Sequence, residues 1–124
     1  MGVTLMKEYT YNWMIDSIEV SNNSINGYDD VVVSCKWKVE SALLWEREVF
    51  NNPTITKSVE TAYANKVGIQ TFVSPTDNFM PLEVVEKQTI LNWLWSYLDK
   101  NSIESDLKTE LDEKQSPPTR IIKL

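Results

Sequence analysis

The chain has no histidine, a single cysteine and only three glycines among its 124 residues. Histidine is the side chain most often used as a general base near neutral pH, and it is a leading metal ligand. Its absence excludes a Ser/His/Asp relay, a Cys/His pair and an ordinary histidine-bound zinc site. One cysteine, Cys35, cannot close a disulfide within the chain, which is compatible with synthesis in a cytoplasm. Gly2, Gly27 and Gly68 are far apart, so no glycine-rich phosphate loop can be assembled from them. No stretch approaches the ~18 consecutive apolar residues of a membrane-spanning helix, and the opening Met-Gly-Val-Thr-Leu-Met lacks a signal-peptide apolar run. Met6 occupies the place where a myristoylation motif needs Ser or Thr.

Positive charge is also scarce. Twelve Lys and Arg are scattered among eighteen Asp and Glu, giving a net charge of −6. A nucleic-acid surface needs clustered cations, so nucleic acid is not an expected partner. The acidic pairs Glu46/Glu48, Asp29/Asp30 and Asp112/Glu113 lack the alternating acids and glycine of a calcium loop, and nothing places them in a cleft for acid–base work. They read as solvated surface charge. The expectation is a chain that is not an enzyme, with no cofactor, metal, membrane or small-molecule substrate.

What is present is aromatic: five tryptophans and five tyrosines, within a 42% hydrophobic composition that can support a folded core. Tyr9, Tyr11, Trp13 and Ile15 alternate with polar neighbours, the period of a half-buried strand, and a phase change near Asp16-Ser17 suggests a bulge. Ser21 to Asp30 reads as a turn. Val31, Val33, Cys35, Trp37 and Val39 share one strand face, which places Cys35 in a core as an inert thiol. Leu43 to Phe50, with Glu46, Arg47 and Glu48, reads as a charged edge strand. After a turn at Asn51-Asn52-Pro53, a third alternation runs through Val59, Thr61, Tyr63 and Val67 and breaks at Gly68.

From Pro81 the pattern turns helical, with the proline at the first helical position. Ile90, Leu91, Leu94, Tyr97 and Leu98 cluster on one face, and Trp93 and Trp95 widen it to an arc of about 200°. Such an arc is wider than one sheet face needs. Asn101 with Glu104 reads as the capping box of a second helix, whose thin stripe of Ile103, Leu107 and Leu111 suits one shallow contact. Ser116-Pro117-Pro118 ends it and leads into Arg120, Ile121, Ile122, Lys123 and Leu124.

These elements predict an α+β domain over residues 1–115: an antiparallel sheet of three to five strands within 8–74, packed on helices at 82–99 and 102–114. Residues 116–124 form an extended C-terminal arm. Trp13 and Trp37, on apolar strand faces, belong to the core. Trp45, Trp93 and Trp95 exceed what one small core needs, and tryptophan is enriched at interface hot spots. The expected partner-binding residues are therefore Trp45, Trp93 and Trp95, with Arg120, Ile121, Ile122 and Leu124 of the arm.

Several short matches carry a resemblance. Tyr9-Thr10-Tyr11-Asn12-Trp13, the strand Val31 to Trp37, Asp77-Asn78-Phe79-Met80-Pro81-Leu82, Ile90-Leu91-Asn92-Trp93 and Pro117-Pro118 together resemble a family of small tailed-bacteriophage proteins, including those of cyanophages. The sequence departs from that family in a longer Leu43–Thr56 stretch and in a tail ending Ile-Ile-Lys-Leu, without tryptophan. The resemblance implies a non-enzymatic structural component of a phage virion, made in the host cytoplasm and bound to other virion proteins or to copies of itself. Capsid decoration is the leading expectation. A tail, neck or baseplate accessory is the alternative, and an effector that binds and inhibits a host protein is another.

Overall fold

In the computed structural model, which describes residues 5–51, 53–74, 79–116 and 122–123, three strands form one antiparallel sheet in the order β1-β2-β3. They are β1 (Lys7–Val20), β2 (Val32–Asn51) and β3 (Thr54–Thr71). A 3-10 turn (Leu82–Val84) precedes two helices, α1 (Lys87–Tyr97) and α2 (Lys100–Gln115). The fold is α+β, with the sheet packed against C-terminal helices. The chain divides into two compact units, each drawing on all three strands.

The first unit comprises residues up to Asn12, Glu40–Asn65 and the chain from Asn101 onward, including almost all of α2. Its core is Leu43, Ala62, Ala64, Leu107 and Leu111, all buried. Leu107 and Leu111 lie one turn apart and are 2% and 0% exposed. Two residues of the thin stripe expected to make a shallow contact thus belong to this unit's own core, and Ile103 is half-buried. Ser41 is buried as well and donates its hydroxyl proton to the Ala64 carbonyl at 2.7 Å, satisfying a polar group that would otherwise be costly to bury. Lys57 pairs with Glu46, and Arg47 with Glu60, each at 3.5 Å.

The stretch Leu43–Phe50 is therefore not an edge. It is the second half of the central strand: the Glu46 amide donates to Met6 on one side, and the charges of Glu46 and Arg47 pair with β3 on the other. Charge that read as defence of an exposed edge is used in pairs across strands.

The second unit comprises Trp13–Val39 and Lys66–Lys100. Val31, Cys35, Trp37, Val39, Ile90 and Leu94 are buried. Cys35 is 1% exposed, and burial pushes its thiol pKa up against a weaker opposing backbone hydrogen bond from Gln70. Its thiolate is disfavoured. Trp13 packs on Trp37 with ring centroids 5.6 Å apart; Trp37 is buried as expected of a core residue, whereas Trp13 is half-buried. The turn between β1 and β2 is a tight hairpin at Asn26-Gly27, both with positive φ (51° and 84°), closed by reciprocal hydrogen bonds of 2.9 Å between Ile25 and Tyr28. Asn-Gly is the pair that tolerates this left-handed geometry best.

Further expectations are corrected. β3 does not break at Gly68 but runs through it to Thr71. The alternating apolar residues of β3 face outward: Val59 and Tyr63 are 58% and 69% exposed in the first unit, Val67 and Ile69 58% and 72% in the second. The helical segment does not start at Pro81. Pro81 precedes the short 3-10 turn, Val85 is extended, and α1 begins after Glu86. There Glu86 and Thr89 form a capping box: the Glu86 carboxylate accepts from the Thr89 amide while the Thr89 hydroxyl accepts from the Glu86 amide. The extended Leu98 ends α1, and α2 already includes Lys100, so Asn101 lies inside the helix instead of capping it.

Candidate functional site

The second unit holds an open apolar pocket of about 240 Å³. Its floor is Val31 and Val32, where the chain enters β2. One wall is Phe72 and Val73, just past the end of β3; the other is Trp93, Ser96 and Tyr97 on the exposed side of α1. Phe79 and Met80 form the rim. The aromatic rings brace one another: Phe72 meets Trp93 edge-on at 5.8 Å and Tyr97 at 5.5 Å, while Phe79 stacks on Tyr28 at 4.4 Å. The Val73 amide donates to the Tyr97 hydroxyl at 2.7 Å, tying the two walls together. A pocket braced in this way is preorganised, so little side-chain entropy is lost when it is filled.

A polar groove adjoins it. Asp29, Asp30 and Glu83 line this groove together with Gly27, Tyr28, Pro81 and Leu82, and Phe79 belongs to both. The site therefore joins an apolar cleft to an acidic flank, with one aromatic ring shared between them. It offers apolar surface at the centre and carboxylates at the side. Among the described residues, no group of three or more His, Cys, Asp or Glu is arranged to hold a metal ion. Among them too, no helix is long and apolar enough to cross a membrane.

Of the expected partner-binding residues, Trp93 lines the pocket. Trp95 belongs to the aromatic cluster of the same unit: it meets Trp13 edge-on at 5.9 Å, and the Lys100 ammonium lies 4.5 Å from its ring centroid. Its indole Nε1 is buried without a hydrogen-bond partner. Trp45 is half-buried in β2 within the first unit. Ile122 is 67% exposed, and Arg120, Ile121 and Leu124 lie outside the described residues. Sequence reasoning did not assign Phe72, Val73, Phe79, Met80 or Tyr97 to a binding surface. The signal for Tyr97 was its place on the apolar face of α1, for Phe79 and Met80 the Phe-Met-Pro entry to the helical region. Phe72 and Val73 carried none beyond a strand pattern.

The first unit carries a second polar cluster. The Tyr9 hydroxyl donates a short hydrogen bond to the Asp112 carboxylate, which also lies 3.6 Å from Lys7 and 3.7 Å from Lys108. Lys7 and Lys108 both approach the Tyr9 ring, with their ammonium groups 5.4 and 5.0 Å from its centroid. The hydrogen bond from Tyr9, more than the two lysines, holds the Asp112 carboxyl below its ordinary value. Every group here has a partner, and the cluster clasps α2 to β1.

The family model described as "Domain of unknown function (DUF7936)" matches residues 8–124. No curated protein and no solved structure matches the chain.

Proposed function

The chain belongs to the DUF7936 domain family, and from that premise we propose that it is a non-enzymatic protein-binding module, a structural component of a tailed-phage virion. The observation that carries the binding reading is the aromatic pocket of the second unit. A preorganised apolar cleft beside an acidic flank suits an apolar anchor with a cation next to it, the usual make-up of a protein hot spot. The outward apolar residues of β3 add further surface of the same kind. The phage context is supported by the sequence resemblance, from Tyr9-Thr10-Tyr11-Asn12-Trp13 through to Pro117-Pro118. Within a particle, a small acidic domain suits decoration of the capsid, with a tail, neck or baseplate position as the alternative. Mass spectrometry of purified particles tests this reading. The chain is expected there in many copies; finding it only in the soluble extract of infected cells, bound to a host protein, overturns it in favour of an effector.

A further inference from the structure

We propose that the pocket of the second unit receives the C-terminal arm of a second copy of this chain, with aliphatic side chains of residues 120–124 in the cleft and Arg120 and Lys123 against the acidic flank. The inference rests on the reading of the chain as a binding module and names the partner.

The argument is one of complementary chemistry within a single sequence. The net charge is −6, yet the last acid is Glu113, and from Lys114 to Leu124 there are three cations and no acid. Lys114 is used within the first unit, donating to the Tyr63 carbonyl and pairing with Glu110 at 3.8 Å. Arg120 and Lys123 remain as the charges of the arm, and they bracket Ile121 and Ile122.

An aliphatic segment bracketed by cations needs a receptor that is apolar at its centre and acidic at its edge. The pocket has that form: Phe72, Val73, Met80 and Trp93 line the cleft, and beyond Phe79 the lining changes to Asp29, Asp30 and Glu83. Its size fits too. A cavity of about 150 Å³ takes a benzene-sized guest, so the 240 Å³ here accommodates one or two branched aliphatic side chains. Ile122 is 67% exposed in the single chain, which leaves apolar area to be gained on docking. A proline pair restricts the unbound chain, which lowers the entropy lost when the segment that follows is fixed. A tail on one copy and a pocket on the next make a heterologous contact, which builds rings or chains of copies.

The test is the concentration dependence of self-association of the full chain, followed by sedimentation. Ile122→Asp removes the arm's anchor and Val73→Asp charges the pocket wall; both side chains are largely exposed, at 67% and 79%, and circular dichroism checks that both variants keep their fold. Each variant alone is expected to self-associate at least tenfold more weakly than the natural chain. Mixed together, the two are expected to bind each other, since one supplies an intact pocket and the other an intact arm. Lys123→Glu weakens association, Glu83→Lys restores it in the double variant, and added salt weakens the natural contact. A natural chain that stays monomeric, variants that associate as it does, or a mixture that fails to associate each overturns the proposal. If the chain is abundant in particles and yet shows no arm-dependent association, this inference falls and the virion reading stands.

Discussion

Gly68 lies directly against the indole of Trp37: a Cβ at position 68 would come within 2.6 Å of Cζ2 and 2.7 Å of Cε2. The glycine is there because the ring takes the place of its side chain. Trp37 is 5% exposed and packed on Trp13, so the ring has nowhere to retreat. Strand propensity alone favours Ala over Gly by roughly 0.5–1 kcal/mol, whereas overpacking costs about 1–3 kcal/mol. Overpacking should win. Gly68→Ala is expected to lower stability in urea unfolding, and Trp37→Phe in the same chain should recover part of the loss. A stabilised Gly68→Ala chain would contradict this geometry.

The first unit depends on two leucines of α2. Leu107 and Leu111 are almost fully buried in the first unit, as are Ala62 and Ala64 of β3 and Leu43 of β2. Replacing either by alanine removes buried methyl groups and leaves a cavity, at a cost of about 2–5 kcal/mol. Leu107→Ala and Leu111→Ala should each shift the urea midpoint strongly. Ile103→Ala, at the half-buried end of the same stripe, should shift it less. Equal and small effects at all three positions would return the stripe to the role of a surface contact.

The clasp of Tyr9 and Asp112 makes the first unit sensitive to acid. The folded-state pKa of Asp112 is depressed, first by the hydrogen bond from Tyr9 and then by Lys7 and Lys108. Its contribution is therefore present above the ordinary value of 3.8 and is lost as pH falls through the lower folded value. Lys7 is shifted the other way: its pKa is raised, chiefly by Tyr9, so its share is present below 10.5 and is lost as pH rises through the higher folded value. Asp112→Asn and Tyr9→Phe should each lower the melting temperature at pH 7 and flatten the acid limb of stability. The double variant should be little worse than the weaker single one, because both remove the same bond. Additive losses would mean that the two side chains act separately.

The period of the strands could be read from the sequence more easily than the side each residue faces. Alternation at Val31–Val39 holds at Cys35, Trp37 and Val39, which face the core, and fails earlier, where Val33 is half-buried while Val32 and Ser34 are buried. In β3 the same alternation points outward, since Ala62, Ala64 and Gly68 line the inner face and carry too little hydrophobic weight to reveal it. Small residues inside and large ones outside reverse the usual reading of a strand, and at Gly68 it is the close approach of Trp37 that requires the residue to be small. The edge assignment of Leu43–Phe50 failed for a related reason: the partners of Glu46 and Arg47 are more than ten positions away in sequence.

For the site, Trp93 was legible because the arc of α1 is too wide for one sheet face. The rest of the pocket was not. Phe72, Phe79 and Tyr97 come from three segments that only the tertiary fold brings together, and their placement leaves no periodic trace. Among the arm residues, the charge pattern of Arg120 and Lys123 was visible from the start. The acidic flank of Asp29, Asp30 and Glu83 required the fold, because Glu83 is more than fifty positions from Asp29.

The central claim is that the aromatic pocket is the surface through which the chain joins a particle. It is tested most directly by producing the natural chain and its Val73→Asp variant in separate infections and measuring the amount of each in purified particles by mass spectrometry. The account predicts that the variant is depleted at least tenfold relative to the natural chain. Incorporation of the two in equal amount, or absence of both from the particles, would contradict it.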